Sequence, residues 1–190
     1  ETIDTGKMLK ETRWQAKYIA EFFHFYAGAA DKIAGEVLPI DKPDMLVFTN
    51  REPLGVVAAV VPWNYPMSMA AWKLGPALAT GNSVILKPAE QSPFTALKFG
   101  ELAIEAGIPP GVLNVVPGLG HIAGKALGLH MDVDCVGFTG STEVGKYFMQ
   151  YSGQSNIKRI GLELGGKSPQ VVLADCDDLD AAATGIAAGI

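Results

Sequence analysis

The rhythm of apolar and polar positions changes twice along this chain. Over residues 7–34, Trp14, Tyr18, Ile19, Phe22, Phe23, Phe25 and Tyr26 recur at helical spacing, which predicts one or two helices ending near Gly28 or Gly35. Residues 35–53 read differently. Two short apolar runs, Val37-Leu38-Pro39-Ile40 and Met45-Leu46-Val47-Phe48-Thr49, flank a polar Asp41-Lys42-Pro43-Asp44 turn, the pattern of a β-hairpin. Such a hairpin has little to pack on locally and is suited to extend a sheet elsewhere in the protein or in another subunit. From Gly55 onward, apolar runs alternate with helical periodicity. Strands are predicted at 55–61, 83–87, 112–116, 134–138, 157–163 and 169–173, with helices over 66–80, 93–106, 120–129 and 141–151. Near-continuous apolar strands separated by helices mark βαβ units. The expected class is therefore α/β, with a parallel sheet covered by helices on both faces.

Composition narrows the function classes. The chain has 190 residues and a formal net charge of −5, which argues against a general binder of nucleic acid or of a membrane surface. No apolar run approaches the length of a bilayer span. Two cysteines make no disulfide framework, so a reducing cytoplasm is the expected compartment. His24, His121 and His130 show no metal spacing, and no metal site is expected. There is no initiator Met, and Leu179 to Ile190 reads as an alanine-rich helix without a stop signal. These ends lead to the expectation of an internal piece of a longer protein.

Five motifs fall where strands end, the place at which α/β sheets bind ligands. Glu163 lies in Gly161-Leu162-Glu163-Leu164-Gly165-Gly166-Lys167-Ser168-Pro169, one carboxylate in an apolar, glycine-rich run. A carboxylate so surrounded is suited to take up a proton near neutral pH. Asn64, in Pro62-Trp63-Asn64-Tyr65-Pro66, is held between prolines and aromatics, and its amide can donate to a developing oxyanion. Lys87 and Glu90 follow the strand at 83–87 with the spacing to grip the hydroxyls of one ribose. Phe138-Thr139-Gly140-Ser141-Thr142 leads into a helix and can serve as N-cap and phosphate site at once, while Pro117-Gly118-Leu119-Gly120 offers backbone to a cofactor base. Taken singly, these also read as a surface Glu before a turn, a turn Asn, a surface ion pair and a plain helix cap.

Together, and in this order, the motifs resemble the NAD(P)-dependent aldehyde dehydrogenase superfamily. Trp72-Lys73-Leu74-Gly75-Pro76-Ala77-Leu78-Ala79 adds to the match, which runs from Tyr26-Ala27-Gly28 to Asp175. The resemblance implies a Rossmann-like fold preceded by helices and a hairpin oligomerisation arm. It implies residues 1–34 as the N-terminal helical segment of the cofactor domain, 35–53 as the arm, 54–166 as the NAD(P)-binding domain and 167–190 as the start of a catalytic domain.

The same resemblance implies Asn64 as the oxyanion-hole amide and Glu163 as the general base for the hydrolytic water. It implies Lys87 and Glu90 as adenosine-ribose contacts and Ser141, beside Gly140, as a pyrophosphate contact. Gly120 would border the adenine slot. Val61, Pro62 and Trp63 would line the nicotinamide side, with Leu164 also among the cofactor contacts. Tyr65, Met69 and Trp72 match the aldehyde tunnel.

The nucleophilic cysteine of such enzymes follows the helix that starts near Asp178, where this sequence stops. Cys135 reads as a core residue, and Cys176 sits among acidic neighbours that would blunt it, so neither is assigned the role. The expected function is oxidation of an aldehyde to an acid with NAD, or with NADP, by a cytoplasmic homodimer or homotetramer, the chain alone being inactive. Glu90 favours NAD, because a 2′-phosphate would meet its charge. The alternatives are a CoA-acylating relative, against which Glu163 argues, and a nucleotide-binding module without catalysis.

Overall fold

The computed structural model describes residues 1–189. A short turn of helix, α1 (Thr2–Thr5), leads into the long α2 (Leu9–Ala29). The hairpin follows as β1 (Val37–Leu38) and β2 (Val47–Phe48), antiparallel, with Val37 opposite Phe48. The main sheet is built from β3 (Val56–Val60), β4 (Ser83–Lys87), β5 (Leu113–Val115), β6 (Cys135–Gly140) and β7 (Arg159–Leu164). Its order is β5-β4-β3-β6-β7 and every pairing is parallel. The helices between the strands are α3 (Pro66–Ala79), α4 (Phe94–Glu105), α5 (Lys125–Leu129) and α6 (Thr142–Gly153), and α7 (Leu179–Ala188) comes last.

The central strand explains why helices cover both faces. Side chains alternate across a strand. Ala58 and Val60 of β3 join Leu127, Val133, Val136, Phe138 and Phe148 in a core on the α5–α6 side. Ala59 and Val61 join Ala70, Leu74, Val84, Leu86 and Ala96 on the α3–α4 side. A strand buried on both faces cannot alternate apolar with polar, which is why these strands read as continuous apolar runs.

Helix α2 packs on the outside of α3. Their approach is close at Gly75, where an added Cβ would lie 3.1 Å from the Tyr26 ring and 3.2 Å from Phe22. The buried Ser68 hydroxyl of α3 donates to Gln15 Oε1 of α2 at 2.9 Å. Ser68→Ala is expected to cost about 1–3 kcal/mol, because it strips a buried amide of its partner. Urea denaturation of the variant against the parent measures it.

Two expectations are corrected. Residues 169–173 form no strand, and Val171, Val172 and Leu173 are exposed. The apolar run is strand-like, but a strand exists only by pairing, and no strand neighbours it among the described residues. The helix expected over 120–129 begins as a π-helix, Gly120–Gly124, before α5 continues it. The helix expected to run to Ile190 is observed to Ala188, and Ile190 lies outside the described residues.

Candidate active site

The strand order reverses between β3 and β6, so the turns leaving these two strands diverge and leave a crevice at their carboxyl ends. A cleft of about 710 Å³ opens there. Val61, Pro62, Trp63 and Asn64 reach it from the turn after β3, and Lys87 and Glu90 from the end of β4. Gly120 borders it at the start of the π-helix, Gly140 and Ser141 at the end of β6, and Glu163 and Leu164 at the end of β7. Every candidate site residue read from the sequence lines this one cleft. Tyr65, Met69 and Trp72 border it too, and also line an adjoining cavity of about 420 Å³ whose other walls are Trp14, Gln15, Tyr18 and Ser68. Trp14 and Tyr18 stack there at 5.1 Å.

The Lys87 side chain is buried and its ammonium lies 3.3 Å from Glu90 Oε2. Glu90 Oε1 also accepts, at the long distance of 3.5 Å, from the Gly120 N–H. Burial acts to raise the Glu90 carboxyl. It is outweighed by the residue's own backbone N–H, by Lys87 and by Gly120, which together hold it below the ordinary carboxylate range. The Glu90 carboxylate is thus braced against Lys87 at the cleft wall.

Ser141 is the N-cap of α6, its Oγ accepting from the Val144 N–H at 3.2 Å. A capping hydroxyl still has its own hydrogen to donate, and the first-turn N–H groups of a twelve-residue helix face the cleft end, a favourable place for an anion. The cap and the phosphate site are therefore compatible uses of one residue. Gly145 lets β7 close against this helix, since a Cβ there would come within 2.7 Å of Leu164 Cδ2.

Glu163 departs from its expected surroundings. Among the described residues it is exposed, on the outermost strand of the sheet, and is not enclosed by the apolar run in which it sits. What faces it is a cation that sequence reasoning passed over. Lys73 Nζ donates to Thr139 Oγ1 at 2.6 Å. Burial pushes the Lys73 ammonium down from its ordinary value, and the charge of Glu163 opposes that shift. The signal was present in the sequence: Lys73 is the single charged residue in α3. Lysine there needs a partner inside the site, and Thr139 supplies one.

Neither cysteine lines the cleft. Cys135 opens β6, where burial pushes its thiol up, Arg159 opposing and Asp134 adding to the effect. Cys176 contacts the carbonyl of Asp178 at 3.5 Å.

A parallel sheet with a cleft at its switch point, lined by the amide of Asn64 and the carboxylate of Glu163, is the arrangement in which α/β folds bind nucleotides. Comparison with known proteins narrows it. The model of the aldehyde dehydrogenase family matches residues 1–190, and the chain belongs to that family. It is 52% identical over its whole length to the NADP/NAD-dependent aldehyde dehydrogenase PuuC of Escherichia coli, and covers 38% of that protein. The crystal structure of gamma-glutamyl-gamma-aminobutyraldehyde dehydrogenase from Burkholderia cenocepacia superposes with a TM-score of 0.91 at 59% identity, over 96% of this chain and 37% of that one. Betaine aldehyde dehydrogenase of Staphylococcus aureus in complex with NAD+ superposes with a TM-score of 0.95 at 41% identity, over 99% and 37%. The chain thus spans little more than a third of the length of these relatives. Among the described residues no helix is long and apolar enough to cross a membrane.

Proposed function

We propose that this chain is the cofactor-binding part of an enzyme that oxidises an aldehyde to a carboxylic acid with NAD+, or NADP+, in the cytoplasm. The observation that carries the reading is the meeting of Asn64, Glu163 and the Lys87–Glu90–Ser141 group on one cleft at the strand ends. The donor set suits a dinucleotide. A paired Lys and Glu can share the two hydroxyls of a ribose, and the α6 N-terminus with Ser141 suits the pyrophosphate. Gly120 and Gly140 keep side chains out of its path, while Val61, Pro62, Trp63 and Leu164 supply apolar wall. When bound, the nicotinamide accepts a hydride from the substrate.

In this reading the exposed Asn64 amide donates to the oxygen of the attacked carbonyl as it gains charge. Glu163 takes the proton of the water that releases the acid. Lys73 orients Thr139 and places its charge toward Glu163. The aldehyde's tail lies along Tyr65, Met69 and Trp72. The attacking thiolate comes from the remainder of the whole enzyme, a polypeptide of its relatives' length. Residues 54–166 carry the cofactor, and the exposed apolar hairpin at 35–53, with Leu46 74% and Phe48 61% exposed, reaches a second subunit of a homodimer or homotetramer.

The test of the reaction is product analysis with the whole enzyme. Aldehyde and NAD+ alone are expected to give NADH and free acid in equal amounts. A strict requirement for CoA, with an acyl-CoA as product, would contradict the role of Glu163 and favour the acylating alternative. The cofactor reading gives a second expectation. Glu90→Gln removes the charge that repels a 2′-phosphate and is expected to narrow the preference for NAD+ over NADP+ by about two- to fivefold, the scale of an exposed charge pair. The ratio of kcat/KM for the two cofactors reads it, and an unchanged ratio rules out the contact.

A further inference from the structure

The turn that carries Asn64 is held from outside by a segment far away in sequence. Tyr65 is the N-cap of α3 and offers no capping side chain; Pro66, at the first helical position, has no N–H. Met67 therefore presents the first N–H of the helix, and no nearby residue takes it. Glu1 does so across the fold, its Oε2 accepting from Met67 N at 3.1 Å. Six residues on, the Lys7 ammonium lies 3.3 Å from the centroid of the Tyr65 ring, a cation–π contact. A third hold comes from the far side, where the buried Ser92 hydroxyl donates to the Trp63 carbonyl at 2.9 Å. Asn64 sits between these points, exposed to the cleft, so its amide takes its direction from the backbone of the turn.

The segment that reaches over is itself braced. Asp4 Oδ2 accepts from the Phe94 N–H at 3.1 Å, which ties α1 to the start of α4. The Thr2 and Thr12 hydroxyls meet at 2.7 Å, which ties it to α2. Glu1 is held at a cost. Burial pushes its carboxyl up from the ordinary range, the Met67 N–H and Lys7 opposing only in part, and among the described residues Oε1 is buried without a partner.

The geometry points to a clamp: Glu1 and Lys7 fix the Trp63–Met67 turn and act on the reaction as positioning residues, through the aim of the Asn64 amide. The inference rests on the reading of Asn64 as the oxyanion donor, and the experiment separates the two. In the whole enzyme, Glu1→Ala is expected to lower kcat about tenfold, part of what a misplacement near 1 Å can cost, while KM for NAD+ stays unchanged. Glu1→Gln, whose amide oxygen can still accept from Met67, is expected to restore most of that loss. Combined with Asn64→Ala, which removes the group being aimed, Glu1→Ala should cause no further loss. Lys7→Met, measured in the same two backgrounds, provides a second arm that leaves the helix cap intact and is expected to behave the same way. Equal losses in both backgrounds, or full kcat in Glu1→Ala and Lys7→Met, would overturn the clamp alone. Normal turnover in Asn64→Ala would overturn the reading of Asn64 and the clamp with it.

Discussion

In the whole enzyme carrying Glu163→Gln, rapid mixing of aldehyde with NAD+ is expected to give a burst of about one NADH per active site, then a steady rate lower by about 10²–10⁴. The amide keeps the shape of the carboxylate and cannot accept the proton of the deacylating water. Hydride transfer in the first turnover does not need that proton acceptor, so the burst survives. If the same carboxylate also readies the thiol for attack, the burst slows in parallel with the steady rate. If neither phase changes, Glu163 is a turn residue at the end of β7 and the assignment of the base is wrong.

Asn64→Ala is expected to lower kcat by roughly 10²–10³, the usual consequence of losing one oxyanion donor, with NAD+ affinity nearly unchanged. The structure gives the reason for the split. Asn64 stands in the turn after β3, while the ribose and pyrophosphate candidates Lys87, Glu90 and Ser141 stand at the ends of β4 and β6. Here the loss belongs in the burst, because the charge on the carbonyl oxygen develops during attack. Measuring both phases for both variants therefore assigns each residue to its own half of the reaction. Normal turnover in Asn64→Ala would mean that the amide points elsewhere.

Much of this architecture was legible because the strands are buried on both faces. Val56–Val60 and Ser83–Lys87 are short apolar runs bounded by turns, and such runs announce themselves. The same signal misled at 169–173, where an apolar run without a neighbouring strand stays unpaired. The site was legible for a related reason. Parallel strands end their apolar stretch where the ligand begins, so the polar residues at or just past each strand end are the natural candidates, and Asn64, Lys87, Ser141 and Glu163 all sit there.

Lys73 was harder to see. It lies inside a helix, about two turns from its start, and its meaning depends on Thr139, which arrives from β6. The clamp by Glu1 and Lys7 was not visible at all, since nothing local tells which distant carboxylate will take the N–H of Met67. The place of Glu163 on the outermost strand of the described sheet was hidden too, since strand position in a sheet is a long-range property that an apolar run does not encode.

The central claim is that one cleft, built from the ends of β3, β4, β6 and β7, holds the dinucleotide with its reactive ring beside Asn64 and Glu163. A crystal structure of the whole enzyme with NAD+ bound tests it most directly. The account predicts the adenosine ribose hydroxyls within hydrogen-bond distance of the Lys87 ammonium and the Glu90 carboxylate, the pyrophosphate at Ser141 and the α6 N-terminus, and the nicotinamide against Val61, Pro62 and Trp63. A dinucleotide bound elsewhere, or one that leaves Lys87 and Glu90 paired only with each other, would contradict it.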